Sequence, residues 1–298
     1  MYTKMIKENL RRFFVRLLRQ MPVGLKSFLV NQPIFKTQLR HYVDDETELI
    51  CSGFTSLMGE IRLRIKKKYR IEKYLLEWGA YDLDTMRCFD RVIKKGDICL
   101  DIGANMGCMS FAMAEACGKD GKVHAFEPGP ILSERLQFNI GLNPGIEKVI
   151  QLHTIALSNE SGLLRWKMDE GANYGNAMLS DDGKIEVVVK TLDSFMEEKK
   201  IESVDFIKID TEGMEYKVLV GGIETIKRNR PIIYYETLYS LFPEEVKQST
   251  QLLHELDYLF YGFMATPFKL DPLQPEKFIQ NVLAIPREKI SRLFLSKE

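Results

Sequence analysis

Three short stretches carry the side chains that could do chemistry: Asp101-Ile102-Gly103-Ala104-Asn105-Met106-Gly107, Glu127-Pro128 and Asp210-Thr211-Glu212-Gly213. Each follows an apolar run of strand type, so each sits where a strand ends. In the first, Gly103 permits a sharp turn, Gly107 permits close approach, and the helix that follows presents N–H groups at its start. The spacing is Asp-x-Gly-x-Asn-x-Gly, not the Gly-x-Gly-x-x-Gly of dinucleotide sites. A carboxylate here repels a pyrophosphate and suits a ligand bearing an ammonium group. S-adenosylmethionine has one: Asp101, Asn105 and the turn N–H groups can meet its aminoacyl end, and Glu127 can accept from both ribose hydroxyls.

Methyl transfer from a sulfonium is an in-line displacement with a good leaving group, so aligning the acceptor is the larger task. Positioning contributes up to about 7–11 kcal/mol, and a general base adds roughly 10²- to 10⁴-fold. Asp210 and Glu212 are the candidates to orient or deprotonate an acceptor. A second reading stays open for both, since acids at a helix start also satisfy free N–H groups and the helix dipole. The sequence shows no further carboxylate or histidine at a spacing that demands a metal ion. His124 and His153 lie within apolar strands and read as core or edge residues. The polar loop Asn173-Tyr174-Gly175-Asn176 either covers an acceptor or simply joins two strands, and Trp78 and Tyr81 either pack over the cofactor or anchor the preceding helix.

The elements needed to position these residues alternate. Strand 97–102, helix 107–117, strand 122–127, helix 131–141 and strand 149–157 are followed by strand-like segments 162–168 and 185–190. Then come helix 192–199, strand 204–210, helix 214–228, strand 231–236, helix 243–256 and strands near 258–263 and 280–285. Such alternation implies an α/β fold with a mainly parallel sheet covered on both faces. The last two strands, joined by the loop Pro267 to Pro275, pair antiparallel at one edge. Residues 57–95 read as mostly helical. Ahead of them, Ile6, Leu10, Phe13, Phe14, Leu17 and Leu18 recur at helical spacing among Lys and Arg, giving a helix for an anionic membrane surface, for its own domain or for a second copy of the chain.

Composition narrows the class. The 298 residues hold 42 basic and 42 acidic side chains, so no overall field favours nucleic acid. Five cysteines without a Cys-x-x-Cys pair suggest buried free thiols, and neither a membrane-spanning run nor a signal peptide is evident. The expectation is a soluble, cytoplasmic protein.

Several motifs in order then carry a resemblance: Gly96-Asp97 through Gly107, Ala125-Phe126-Glu127-Pro128, Ala156-Leu157-Ser158, Thr191-Leu192-Asp193 and Lys208-Ile209-Asp210-Thr211-Glu212-Gly213. Together they resemble the FkbM family of methyltransferases over about residues 75–286, although Thr211 stands where the family more often has an apolar residue. The resemblance implies a class I S-adenosylmethionine-dependent methyltransferase domain over 75–298, with a seven-stranded Rossmann-like sheet, an antiparallel C-terminal edge hairpin and a helical basic extension over 1–74. It also implies O-methylation of a small-molecule or glycan acceptor. Asp101, Gly103, Ala104, Asn105, Gly107, Glu127, Pro128 and Ala156 fall at its cofactor positions, Ala156 at the end of the third strand beside the adenine. Two other functions stay open: a nicotinamide-dependent oxidoreductase, which Glu127 would equally serve, and a methyltransferase-like binding protein without turnover.

Overall fold

The computed structural model describes residues 46–52, 54–167, 178–179, 183, 185–237, 240–265, 268–274 and 281–291. The basic segment 1–40 and the loop 173–176 lie outside them. The described residues form two compact units, one up to Asp82 and one from Leu83 onward.

In the first unit β1 (Glu48–Cys51) pairs antiparallel with β2 (Leu63–Lys66), followed by α1 (Arg70–Trp78). The expectation of helix across 57–95 is therefore corrected at β2. There Leu63 and Ile65 are buried while Arg64 and Lys66 are partly exposed, which is a period of two. Trp78 is exposed, and Tyr81 lies beside Tyr74 with ring centroids 6.2 Å apart.

The second unit opens with α2 (Leu83–Val92) and is built on an eight-stranded sheet. Its strands are β3 (Ile98–Ile102), β4 (Lys122–Phe126), β5 (Ile150–His153), β10 (Phe206–Ile209), β11 (Ile232–Glu236), β12 (Tyr258–Ala265), β13 (Phe268–Pro272) and β14 (Asn281–Pro286). They lie in the order β13-β12-β14-β11-β10-β3-β4-β5. From β11 to β5 every pairing is parallel, and β14 runs antiparallel between β11 and β12. The antiparallel pair β12–β14 is thus present, but β14 lies inside the sheet and the segment expected to be a loop contributes β13 at the edge. That strand raises the count from seven to eight.

A separate four-stranded sheet takes β6 (Ala156–Leu157), β7 (Gly162–Lys167), β8 (Met178–Leu179) and β9 (Ile185–Lys190). The continuous strand expected over 149–157 is accordingly two strands in two sheets. The helices α3 (Cys108–Cys117), α4 (Pro130–Gly141), α5 (Leu192–Lys199), α6 (Glu215–Gly221), α7 (Ile223–Asn229) and α8 (Pro243–Glu255) complete the unit.

The core explains why these segments order. Leu100, Ile102, Phe126, Ile207, Ile209 and Ile233 from the strands pack with Phe195, Leu219 and Leu253 from the helices. Burying each such side chain stabilises by about 1.5–3 kcal/mol. Local caps fix the helix starts: the Thr191 hydroxyl accepts from Ser194 N at 3.1 Å to begin α5, and Asp193 accepts from Thr225 N at 2.8 Å to begin α7. All five cysteines are buried free thiols, and among the described residues no helix is long and apolar enough to cross a membrane.

The helix expected over 214–228 breaks at Gly221-Gly222, where the chain passes against the strand-end backbone of the second sheet. A Cβ on Gly221 would lie 2.0 Å from the Ser158 carbonyl oxygen, whereas one on Gly141, the last residue of α4, meets nothing within 4 Å. Gly221→Ala should therefore destabilise by about 2 kcal/mol or more, and Gly141→Ala should stabilise by about 0.5–1 kcal/mol. Urea unfolding of the two variants checks the contrast, and equal midpoints would refute it.

Candidate active site

Strand order reverses at β3, with β4 and β5 to one side and β10 and β11 to the other. In such sheets the ligand crevice lies beyond the carboxyl ends of the strands at that reversal. The turn Gly103 to Gly107 leaves β3 at that point. Gly103 N and Ala104 N both donate to Phe126 O, at 3.0 and 2.9 Å, and Asp210 N donates to Ile102 O at 3.0 Å. The turn is thereby stitched to the ends of both neighbouring strands. Gly103 is sterically required, because at φ +84° a Cβ would sit 1.8 Å from the Asp210 carbonyl oxygen. Asn105 and Gly107 also take positive φ, 54° and 97°, and Gly107 N donates to Ala104 O at 2.9 Å before α3 begins.

Glu127 lies just past β4 with its carboxylate folded over the turn. One oxygen accepts from Asn105 N at 2.8 Å and the other from Gly129 N at 2.9 Å. The residue is only 4% exposed, and burial pushes its pKa up to about 7, against the opposing pull of those two N–H bonds and of Lys208. Each oxygen has a second lone pair direction, so an acceptor pair remains for a vicinal diol. Pro128 follows it and is partly exposed.

Asp101 already has partners within the protein. It is fully buried, one oxygen accepting from the Ser110 hydroxyl at 2.6 Å and the other paired with the Lys208 ammonium at 3.0 Å. Its carboxylate therefore balances a cation of the protein's own. Register explains this, since Lys208 is the cross-strand neighbour of Asp101 in the β3–β10 pair. Ala156 is placed elsewhere. It belongs to β6, packed with Val187 and Val189, and not to the end of the third strand.

Lys208 is a buried cation at this site that sequence reasoning did not single out. It sits in the otherwise apolar, fully buried strand Phe206-Ile207-Lys208-Ile209, and a lone lysine in such a strand is the signal. Its ammonium reaches Asp101 at 3.0 Å, Gly103 O at 3.1 Å and Asp210 at 3.4 Å. Burial disfavours this charge, but the two carboxylates outweigh that penalty and hold the lysine above its ordinary pKa.

Beyond β10 the chain turns through Asp210, Thr211, Glu212 at φ 56° and Gly213. The N–H groups of this turn, ahead of α6, are met by Glu215, whose carboxylate accepts from Thr211 N at 2.8 Å, Thr211 Oγ1 at 2.9 Å and Gly213 N at 3.1 Å. Glu236, at the end of β11, adds a carboxylate that sequence spacing did not reveal: one oxygen each from Asp210, Glu212 and Glu236 lies within 4.8 Å of the others. Adjacent parallel strands ending at one sheet edge bring them together. His124 and His153 meet each other instead of this cleft. Their Nδ1 and Nε2 are 3.0 Å apart against Phe126 and Phe195, and burial lowers both to about 4.

A glycine turn at the strand-order reversal, an acid closing the next strand, and an antiparallel β14 set inside a parallel sheet define a class I S-adenosylmethionine-dependent methyltransferase. The family model for the methyltransferase FkbM domain matches residues 101–260, and the chain belongs to that family. It is 30% identical over 182 residues to the hexuronic acid methyltransferase AglP of Haloferax volcanii, covering 60% of this chain and 72% of that protein. It is 28% identical over 161 residues to the 2-O-methyltransferase NoeI of Sinorhizobium fredii, covering 48% and 64%. Among solved structures, the methyltransferase FkbM of Methylobacillus flagellatus aligns at TM-score 0.45 and 14% identity, over 72% of this chain and about half (52%) of that one.

The chemistry of the donor set fits this cofactor: Glu127 would accept from the ribose hydroxyls, with the Gly103–Gly107 backbone beside it. Only the ionised Glu127 can accept from both hydroxyls, and its pKa of about 7 places that transition near neutrality. Affinity for S-adenosylmethionine should therefore strengthen as pH rises through 7, by about tenfold from pH 6 to pH 8. Calorimetric titration measures this, and Glu127→Gln should bind weakly with a flat pH response. A flat response in the wild type would contradict the assignment.

Proposed function

We propose that this methyltransferase methylates a hydroxyl oxygen of a sugar or a related small metabolite, with Asp210 as the acceptor-side base and no metal ion. The carrying observation is the placement of Asp210. Its main chain abuts Gly103 of the donor turn, its carboxylate is partly exposed, and the turn N–H groups of Thr211 and Gly213 are held by Glu215. Glu215, and not Asp210, thus holds those two turn N–H groups.

S-adenosylmethionine supplies an electrophilic methyl group bound to a sulfonium. The chain's own task is to hold the acceptor oxygen in line with it and to take the hydroxyl proton. A sugar hydroxyl is weakly acidic, so the Asp210 carboxylate takes that proton as the new carbon–oxygen bond forms. Glu212 and Glu236, close by in the same cluster, offer acceptors to neighbouring hydroxyls of a polyol, an arrangement that suits a sugar better than an apolar substrate. Lys208 already places a positive charge against Asp210, which lessens the need for a divalent cation there. The names of the two relatives, one for a hexuronic acid and one for a 2-O position, support an oxygen acceptor on a carbohydrate.

Incubation with methyl-labelled S-adenosylmethionine and a cell extract fractionated into glycans, lipids, small metabolites, protein and RNA tests the reading. Label should enter the glycan or small-metabolite fraction and survive mild base, as an ether does. Release as methanol would place the methyl group on a carboxylate, and label in protein or RNA would place it on another acceptor class; either result overturns the hydroxyl assignment. Asp210→Asn should lower turnover by about 10²- to 10⁴-fold with donor affinity within threefold of wild type. Turnover should also persist in EDTA, and its loss there with recovery on adding Mg²⁺ would refute the metal-free mechanism.

A further inference from the structure

Lys208 has three ammonium protons and three oxygen neighbours: Asp101 Oδ1 at 3.0 Å, Gly103 O at 3.1 Å and Asp210 Oδ2 at 3.4 Å. Two of these fix the ammonium from the interior, where Asp101 is fully buried and itself anchored by Ser110. The third reaches outward to a carboxylate whose side chain is 41% exposed. Satisfying Asp101 alone would not require that third contact. An aspartate at a strand end, without such a tether, exchanges rotamers freely in solvent.

We propose that Lys208 is a positioning residue, its buried ammonium holding the Asp210 carboxylate at a fixed place relative to the cofactor turn. Two contacts then join the same pair of elements. The backbone contact, Gly103 against the Asp210 carbonyl, sets where the strand end lies. The side-chain contact, through Lys208, sets where the carboxylate points. Both run through Gly103, so the donor turn and the acceptor-side base are fixed by the same residue and shift together. The effect belongs to catalysis more than to donor binding, because a displacement near 1 Å at a reacting group costs about 100-fold in rate. The proposal rests on the reading that Asp210 acts on the acceptor, and the test separates the two.

The full chain is assayed with methyl-labelled S-adenosylmethionine and, as acceptor probe, the extract fraction that takes up label with the wild type. Lys208→Met keeps most of the side-chain volume and removes the charge; Lys208→Arg keeps the charge. Maximal rate should fall about 10- to 100-fold in Lys208→Met, with the donor Kd and the acceptor KM within threefold of wild type, and Lys208→Arg should recover most of the loss. Should Lys208→Met fail to fold because Asp101 is left buried and unpaired, the double variant Asp101→Asn/Lys208→Met carries the same expectation. A maximal rate within twofold of wild type, a loss confined to donor affinity, or no recovery with Lys208→Arg would overturn the proposal. Asp210→Asn is run in parallel. If it retains turnover, the role of Asp210 falls, and with it this one; if it loses turnover while the Lys208 variants keep theirs, only the role of Lys208 falls.

Discussion

A single buried ammonium with two carboxylates around it is the constraint on which this site depends. Taking a lysine out of water costs several kcal/mol, and a lone buried carboxylate costs as much. Asp101 and Lys208 remove each other's penalty only if β3 and β10 lie side by side in the one register that sets them opposite. A slip of one residue would turn both charges away from each other and bury them singly. The ion pair therefore acts on specificity more than on net stability. It selects the register, the register sets where β3 and β10 end, and those ends carry the glycine turn and Asp210. The steric fit of Gly103 under the Asp210 carbonyl is possible only in that same register.

Glu127 shows the opposite balance. Asp101 has a cation in contact, whereas Glu127 is enclosed with two N–H donors and only a distant cation, and its raised pKa records the cost of holding a carboxylate there. A site built for stability alone would place a neutral group at this position. Keeping an acid fits a group whose full set of hydrogen bonds is completed by a ligand.

Much of this arrangement was legible in the sequence. The strand ends at Asp101, Glu127 and Asp210 could be found because buried parallel strands read as apolar runs and glycine marks the turns between them. The helix over 192–199 is read to the residue, since Thr191 is a capping type followed by an apolar stripe. What was missed depended mainly on strand neighbours. The pairing of Asp101 with Lys208 could not be read because nothing in one dimension shows that the two lie opposite each other. Glu236 was invisible as a partner of Asp210 for the same reason. The strand at Leu63–Lys66 was hidden by charged residues that fit a helix face as well as a pleat. Ala156 was assigned to the third strand because the break after His153, where the chain leaves one sheet for another, carries no proline or glycine.

The place of β14 has a consequence for how the molecule comes into being. It is the last strand among the described residues yet lies inside the sheet, between β11 and β12. During synthesis the half of the sheet from β3 to β11 can assemble as it emerges, but the β12–β13 pair cannot join it until residues near 286 have been made. Until then β11 presents an open edge of unpaired backbone groups, the kind of surface that recruits strands from other chains. The emergence of β14, and not the formation of the cofactor turn, is thus the moment at which that edge closes.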